Sequence, residues 1–294
     1  MLALRSVSRS FGDHQVLHDV SFEVGAGTMT GFVGANGAGK TTAMRIILGV
    51  LGADSGTVSW RGSPIDQTTR QRFGYMPEER GLYPKMKVAE QIVYLARLHG
   101  LDQPTARRNC ADLLEQLELT ERADDPVEQL SLGNQQRAQI AAALAFEPEL
   151  LILDEPFSGL DPLAVETVLS VLRERARTGV PVLFSSHQLE VVERLCDNLV
   201  VIAEGRIAAA GARAELQQRQ GPPRYELTVD DDAGWIRDMP HTTVVELAGA
   251  TVQFDVTVAG AEQVVLQEAT RRGPVHSFRP IVPTLSEIFR EVIR

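Results

Sequence analysis

At 294 residues with 44% hydrophobic side chains, the chain is long enough for one large domain, or a large and a small one, and burying a core presents no difficulty. Its formal charge of −10, its pI of about 5.2 and the lack of any long basic run argue against nucleic acid as the main partner. Cys110 and Cys196, the two cysteines, lack metal-ligand spacing and read as reduced packing residues of a cytosolic protein. Residues 1–11 lack the apolar core of a signal peptide, and no apolar run reaches the ~20 residues of a membrane helix, so the chain is expected to dock on a bilayer at most.

Residues 2–23 read as antiparallel β structure, with a turn signal at Gly12-Asp13 and Val20, Phe22 and Val24 alternating with polar residues. Phe11 is either a packing residue or a ring on which a nucleotide base stacks. A short apolar strand, 29–33, leads into Gly34-Ala35-Asn36-Gly37-Ala38-Gly39-Lys40-Thr41-Thr42. This fits the phosphate-binding pattern of Gly, four residues, Gly-Lys-Ser/Thr. A helix over 42–51 follows, with Met44, Ile46, Ile47 and Val50 at helical spacing. The composition suits the chemistry: glycines let successive backbone N–H groups face a dense negative charge, and the helix dipole adds to them. Lys40 would reach the β- and γ-phosphates of a nucleotide, and the Thr41 hydroxyl would sit on Mg²⁺.

Downstream, Asp54-Ser55-Gly56 reads as a turn, 57–60 as a strand, Arg61-Gly62 as a second turn, and 73–77 as a strand running into the charged loop Glu78-Glu79-Arg80-Gly81. From Val88 the pattern is helical. Ile92, Val93, Leu95, Ala96 and Leu98 make one apolar face, and Leu113, Leu114 and Leu117 another after a helix start at Pro104-Thr105. Ser131-Leu132-Gly133-Asn134 opens an alanine-rich helix to about Phe146. Residues 150–153 are an apolar run ending in Asp154-Glu155, which reads as a buried parallel strand with its carboxyl end at a ligand crevice. A helix over 162–177 and a second buried strand over 180–184 follow, with Ser185-Ser186-His187 after that strand and a hairpin around Glu204-Gly205. Residues 217–223 form a Gln-, Gly- and Pro-containing linker. Beyond it the order β-α-β-β-α-β, plus a last helix over 284–293, suggests a small α+β domain of ferredoxin-like plan.

Asp154, at the end of a buried strand beside a phosphate loop, suits Mg²⁺, and the adjacent Glu155 can deprotonate an attacking water. His187 can order that water or hydrogen-bond a γ-phosphate. Leu130-Ser131-Leu132-Gly133-Asn134-Gln135-Gln136-Arg137, about twenty residues before Asp154, resembles the signature motif of the ABC ATPases. Ser158-Gly159-Leu160-Asp161 resembles their D-loop, His187 their switch histidine, and Phe11 falls where the family places its base-stacking aromatic. The resemblance spans roughly the first 210 residues. It implies a P-loop α/β fold with a mixed sheet, an antiparallel β part and a helical subdomain over about 86–146, within an ATPase domain of 1–216 followed by an accessory domain of 224–294. It also implies Mg-ATP turnover and a head-to-tail homodimer with two ATPs at its interface. Each ATP would meet the loop 34–42 of one subunit and Ser131, Gly133 and Asp161 of the other.

Three departures stand out. Leu132 replaces a glycine of the usual signature and Asn134 a glutamine, both leaving Ser131 and Gly133 in place. Glu78, after Tyr75-Met76-Pro77, occupies the position of the family's Q-loop glutamine; as a carboxylate it can bind Mg²⁺ with Thr41 and Asp154, or face the permease. The loop 76–83, the signature and the C-terminal appendage look like those of the bacterial sodium- and drug-efflux ABC ATP-binding subunits. That likeness implies an exporter ATPase bound to a separate permease on the cytoplasmic side of the membrane. The alternative is an ABC ATPase acting on ribosomes or DNA, for which the usual second ATPase unit or long coiled-coil insertion is missing. A nucleotide-holding module without turnover is at odds with the intact Lys40, Asp154, Glu155 and His187.

Overall fold

In the computed structural model Leu2, Leu4, Val7, Leu17, Val20, Phe22 and Val24 are all buried. The strands that carry them, β1 (Leu2–Phe11) and β2 (His14–Val24), pair antiparallel across the two-residue turn Gly12-Asp13. The structure describes residues 1–79, 81–187, 192, 194–218 and 222–281, and these fall into two compact units that divide after Arg213.

In the first unit the chain continues through β3 (Met29–Val33), α1 (Lys40–Ile47), β4 (Ser55–Trp60), β5 (Ser63–Pro64), α2 (Gln67–Arg70) and β6 (Phe73–Met76). Three helices follow, α3 (Val88–Leu98), α4 (Gln103–Gln116) and α5 (Leu132–Leu144). The unit then runs through β7 (Leu150–Leu153), α6 (Pro162–Arg177), β8 (Val182–Ser186), β9 (Asn198–Ala203) and β10 (Arg206–Ala212). One sheet has the order β10-β9-β3-β8-β7-β6, parallel from β9 to β6 with β10 antiparallel at its edge. The second, β2-β1-β4-β5, is wholly antiparallel. Strands β3, β7 and β8 are buried along their whole lengths, which is why β7 reads as an unbroken apolar run. The two sheets share a core in which Leu4, Phe22 and Trp60 from one meet Phe32, Phe73 and Leu183 from the other, with Met44 and Ile47 of α1 among them. Phe22 and Phe32 bring their ring centroids to 5.1 Å, an aromatic contact worth about 1 kcal/mol beyond its buried area.

Parallel register does the positioning. Val33 lies beside Ser186 and Leu153 beside Phe184, so the residues that follow β3, β7 and β8 emerge together at the carboxyl edge of the sheet.

The structure corrects several element readings. Helix α1 closes at Leu48, whose N–H bonds to the Met44 carbonyl while that of Gly49 bonds to Ile46. Val50 therefore lies outside the helix and is 67% exposed. Ser55 and Gly56, read as turn residues, belong to β4 because Ser55 pairs with Ser8 of β1. On α3 the buried face is Val88, Gln91, Ile92 and Ala96; Leu98 points outward, and Gln91 takes an interior place by accepting a hydrogen bond from the Tyr83 N–H at 2.6 Å. The strand expected over 180–184 is displaced to β8, so Ser185 and Ser186 are inside it. Cys110 and Cys196 are free and buried, and burial pushes their thiols up to about 11 and about 12, as packing residues require.

The second unit has β11 (Arg224–Val229), β12 (Thr242–Ala248), β13 (Thr251–Val256), α7 (Ala261–Arg272) and β14 (Val275–Ile281). The strand order β12-β13-β11-β14, antiparallel throughout, interleaves two crossover units as the ferredoxin-like plan does. The first crossover carries only a 3₁₀ turn, Gly234–Asp238, where a short helix was expected. Leu227, Val252, Phe254, Val265 and Ala269 form its core. Arg80, part of the linker (219–221) and the helix expected over 284–293 lie outside the described residues.

Phe32 has no exposed surface and sits where the two sheets meet. Phe32→Ala is expected to destabilise the first unit by about 3–5 kcal/mol, measured as a lowered midpoint of chemical denaturation. A shift under about 1 kcal/mol would show that the shared core closes around the deletion.

Candidate functional site

The loop after β3 is shaped by what it cannot hold. A Cβ on Gly34 would stand 2.4 Å from the Ile202 carbonyl oxygen, so only glycine admits the loop this close to β9. Gly39, directly before α1, has φ +106°, a left-handed conformation that lets the chain turn into the helix. Ala35, Asn36 and Gly37 are exposed while Ala38, Gly39 and Lys40 are buried. The Lys40 ammonium folds back over the loop and donates to the Gly34 carbonyl at 2.7 Å and the Ala35 carbonyl at 3.2 Å. Burial lowers its pKa, opposed by the charges of Glu155, Asp154 and Glu78.

Asp154 is almost fully buried. A carboxylate there needs partners, and it has one on each oxygen. The Thr41 hydroxyl donates to Oδ2 at 2.9 Å and the Ser185 hydroxyl donates to Oδ1 at 2.5 Å. Ser185 also accepts from the Glu155 N–H at 2.8 Å. Glu155 has φ +52°, uncommon for a non-glycine residue. Its backbone is held on both sides, by Ser185 at the N–H and by Gln136 Nε2, which donates to its carbonyl at 3.0 Å. The Glu155 carboxylate meets His187, whose Nδ1 lies 3.0 Å from Oε1. His187 itself is about half exposed.

Lys40, Thr41, Asp154, Glu155 and His187 are thus gathered at one sheet edge. Thr42 follows them on α1 and is half-buried. Glu78 is exposed, after β6, and close enough for its charge to act on Lys40 and Tyr75. Phe11 ends β1, is 46% exposed and has the Arg9 guanidinium 5.0 Å from its ring centroid. Ser131 caps α5 by accepting from the Asn134 N–H at 3.3 Å, and Asp161 caps α6 by accepting from Ala164 at 2.9 Å. These two turns are neighbours: a Cβ on Gly133 would stand 3.5 Å from the Leu160 side chain. No hydrogen bond among the described residues joins Ser131, Gly133 or Asp161 to the loop at 34–42. Gln136 on α5 bonds to the Glu155 carbonyl, and the 158–161 segment follows Glu155 in the chain.

Ser185 and Gln136 were not singled out in the sequence. The signal for Ser185 was available: a hydroxyl one residue past the apolar core of a strand neighbouring the one that ends in Asp154. Gln136 lies in the signature-like motif, whose reading turned on Ser131, Leu132, Gly133 and Asn134.

Residues 17–158 match the family profile described as ABC transporter, and residues 211–293 the one described as ATP-binding protein DrrA1-3-like, C-terminal domain. The Bacillus subtilis uncharacterized ABC transporter ATP-binding protein YhaQ is 38% identical over 293 residues, covering 100% of this chain and 98% of the relative. The linearmycin resistance ATP-binding protein LnrL, also from Bacillus subtilis, is 34% identical over 281 residues, covering 92% and 90%. A solved ATP-binding subunit of an ABC transporter superimposes with a TM-score of 0.70 at 33% identity, covering 74% of this chain and 92% of that one.

Ser185 contacts both Asp154 and Glu155 and lies in a fully buried strand. Ser185→Ala is expected to leave the fold standing at a cost of about 1–3 kcal/mol and to lower ATP turnover roughly 10- to 100-fold, as loss of a residue that orients site ligands does. Thermal melting and a phosphate-release assay on the same preparation check it; unchanged turnover would show that Ser185 holds only the strand end.

Proposed function

The chain belongs to the ABC transporter ATP-binding proteins, and from that membership we propose that it is the ATP-hydrolysing subunit of an exporter of ions or drugs, driving a separate membrane permease from the cytoplasmic face. The observation that carries the reading is the Asp154-Glu155 pair with its partners: a buried acid tied to Thr41, followed by an acid whose backbone is fixed and whose carboxylate meets His187. ATP hydrolysis is the family's activity. The likeness to a linearmycin resistance ATP-binding protein supports export of drug-like cargo. No helix among the described residues is long and apolar enough to cross a membrane, and we assign that task to the permease.

In this reading Lys40 exchanges its two loop carbonyls for the β- and γ-phosphates, and the N-terminal end of α1 adds its dipole. Phe11 stacks on the base. Glu155 takes the proton from the attacking water as its oxygen bonds to the γ-phosphorus and the bond to the bridging oxygen breaks, releasing ADP. One oxygen of Glu155 is held by His187, which leaves the other for water.

The donor set suits Mg²⁺. Thr41 and Asp154 offer hard oxygens 2.9 Å apart, and Mg²⁺ takes few protein carboxylates beside substrate phosphates. One lysine faces the charges of Asp154, Glu155 and Glu78, a surplus of acid that a divalent cation would offset. Bound there, the ion supplies neutralisation of phosphate charge. Thr41 and Asp154 would hold it, with Glu78 adding its charge from the exposed side.

The exposed turns at Ser131-Gly133 and Asp161 complete the reading. We assign them to the nucleotide of a second copy, in a head-to-tail dimer closed by two ATPs. The Ser131 hydroxyl accepts from Asn134 within its own helix and still has its proton to donate. We further propose that the ATPase domain is residues 1–216 and that the accessory domain follows the linker at 217–223.

Two measurements test this. Glu155→Gln is expected to cut turnover by 10²-fold or more while keeping every γ-phosphate donor, so that Mg-ATP yields a stable dimer by size-exclusion chromatography with light scattering; a variant that binds ATP tightly but stays monomeric refutes the closure. A chain ended at residue 216 is expected to retain nucleotide binding and hydrolysis, and an insoluble product would show that the two parts need each other to fold.

A further inference from the structure

Glu118, two residues past the end of α4, has a left-handed conformation, φ +55°. That region crowds the Cβ of any L side chain and favours glycine, yet here it holds a glutamate. Strain of this kind persists where surrounding contacts over-determine it, and the contacts of Glu118 reach two other helices. One carboxylate oxygen, Oε2, accepts from Arg137 Nη1 at 3.3 Å; the other, Oε1, accepts from the Thr167 hydroxyl of α6 at 3.3 Å. Arg137 is largely buried. It also donates to the Leu117 carbonyl at 2.9 Å and to Asn134 Oδ1 at 2.6 Å. Asn134 is the residue whose N–H bonds to Ser131.

The geometry points to Glu118 as a positioning residue for ATP turnover: its carboxylate clasps the first turns of α5, through Arg137 and Asn134, to α6, so that the Ser131-Gly133 turn and the Asp161 turn face the second copy as one unit. The inference rests on the reading that these turns meet a partner's nucleotide. It also accounts for Asn134, whose amide oxygen reaches Arg137 from within the same helix. Thr167 has a second acceptor, the Leu163 carbonyl at 3.2 Å. Its one proton is shared between α6 and Glu118, so the clasp can release and re-form without leaving a hydroxyl unpaired.

The test uses the full chain and three variants: Glu118→Gly, Thr167→Val and both together. Glycine relieves the backbone and deletes the carboxylate. Valine keeps the shape of Thr167 and replaces its hydroxyl with a methyl group, which removes the bond to Glu118. The Glu118→Gly protein is expected to melt at or above the wild-type temperature. In all three variants, amide hydrogen exchange without nucleotide should speed up roughly threefold to tenfold at residues 131–137, a coupling of the size usual between packed elements. The half-saturating ATP concentration for turnover should rise by a similar factor while kcat stays within about twofold. The double variant should be no worse than Glu118→Gly alone. Unchanged exchange at 131–137 overturns the clasp. Faster exchange with an unshifted ATP dependence overturns its positioning role. A Glu118→Gly protein that melts lower, with exchange raised throughout, shows a merely structural glutamate. A wild-type protein that hydrolyses ATP and never dimerises would retire the head-to-tail reading, and the exchange measurement would still decide whether the clasp exists.

Discussion

The carboxylate of Asp154 holds the site together. It is withdrawn from water, and an isolated charge in such a place would be prohibitively unstable. Two hydroxyls, from Thr41 on α1 and Ser185 on β8, satisfy its oxygens. Three segments far apart in sequence are thereby fixed to one atom group. Because Ser185 also receives the Glu155 N–H, the bond that settles Asp154 sets the backbone of its neighbour as well. The backbone of the second acid is thus tied to the packing of the first, while its carboxylate meets His187.

The same economy recurs at the helix starts. Asp102, Ser131 and Asp161 each accept an N–H from their own helices, which stabilises a cap by about 1 kcal/mol. Ser131 and Asp161 retain a further hydrogen-bonding capacity, a hydroxyl proton and a second carboxylate oxygen. Capping holds those groups in place at an exposed turn, so what they offer outward is already ordered before anything binds.

Much of this was legible in the sequence. Strand β7 and helix α6 carry their boundaries in composition alone, through an unbroken apolar run ending at Asp154 and through Asp161-Pro162 at a helix start. The loop at Gly34 and the acids at Asp154 follow from spacing and chemistry. What was not legible depended on partners distant in sequence. Ser55 joins a strand only because Ser8 is opposite, and Leu98 faces outward because Gln91 and Ile92 already fill the buried stripe. Ser185 and Gln136 are unremarkable hydroxyl and amide residues until the fold brings them to Asp154 and Glu155. Glu118 gives no local sign of a left-handed backbone; its conformation is visible only in three dimensions.

The strand order of the large sheet has a consequence for how the chain is made. Strand β3 carries the phosphate loop, yet both of its neighbours, β8 and β9, come much later: Val33 pairs with Ser186 and Val201. On a ribosome adding about 5–20 residues per second, the roughly 150 residues between β3 and β8 take on the order of 8–30 s to synthesise. Over that interval an apolar strand ending in a glycine loop has no sheet to join, while β1, β2 and β4 can already pair with one another. The antiparallel sheet thus has time to form first and shelter one face of β3, and the nucleotide pocket closes only when β8 delivers Ser185, long after the lysine and threonine that it serves have left the ribosome.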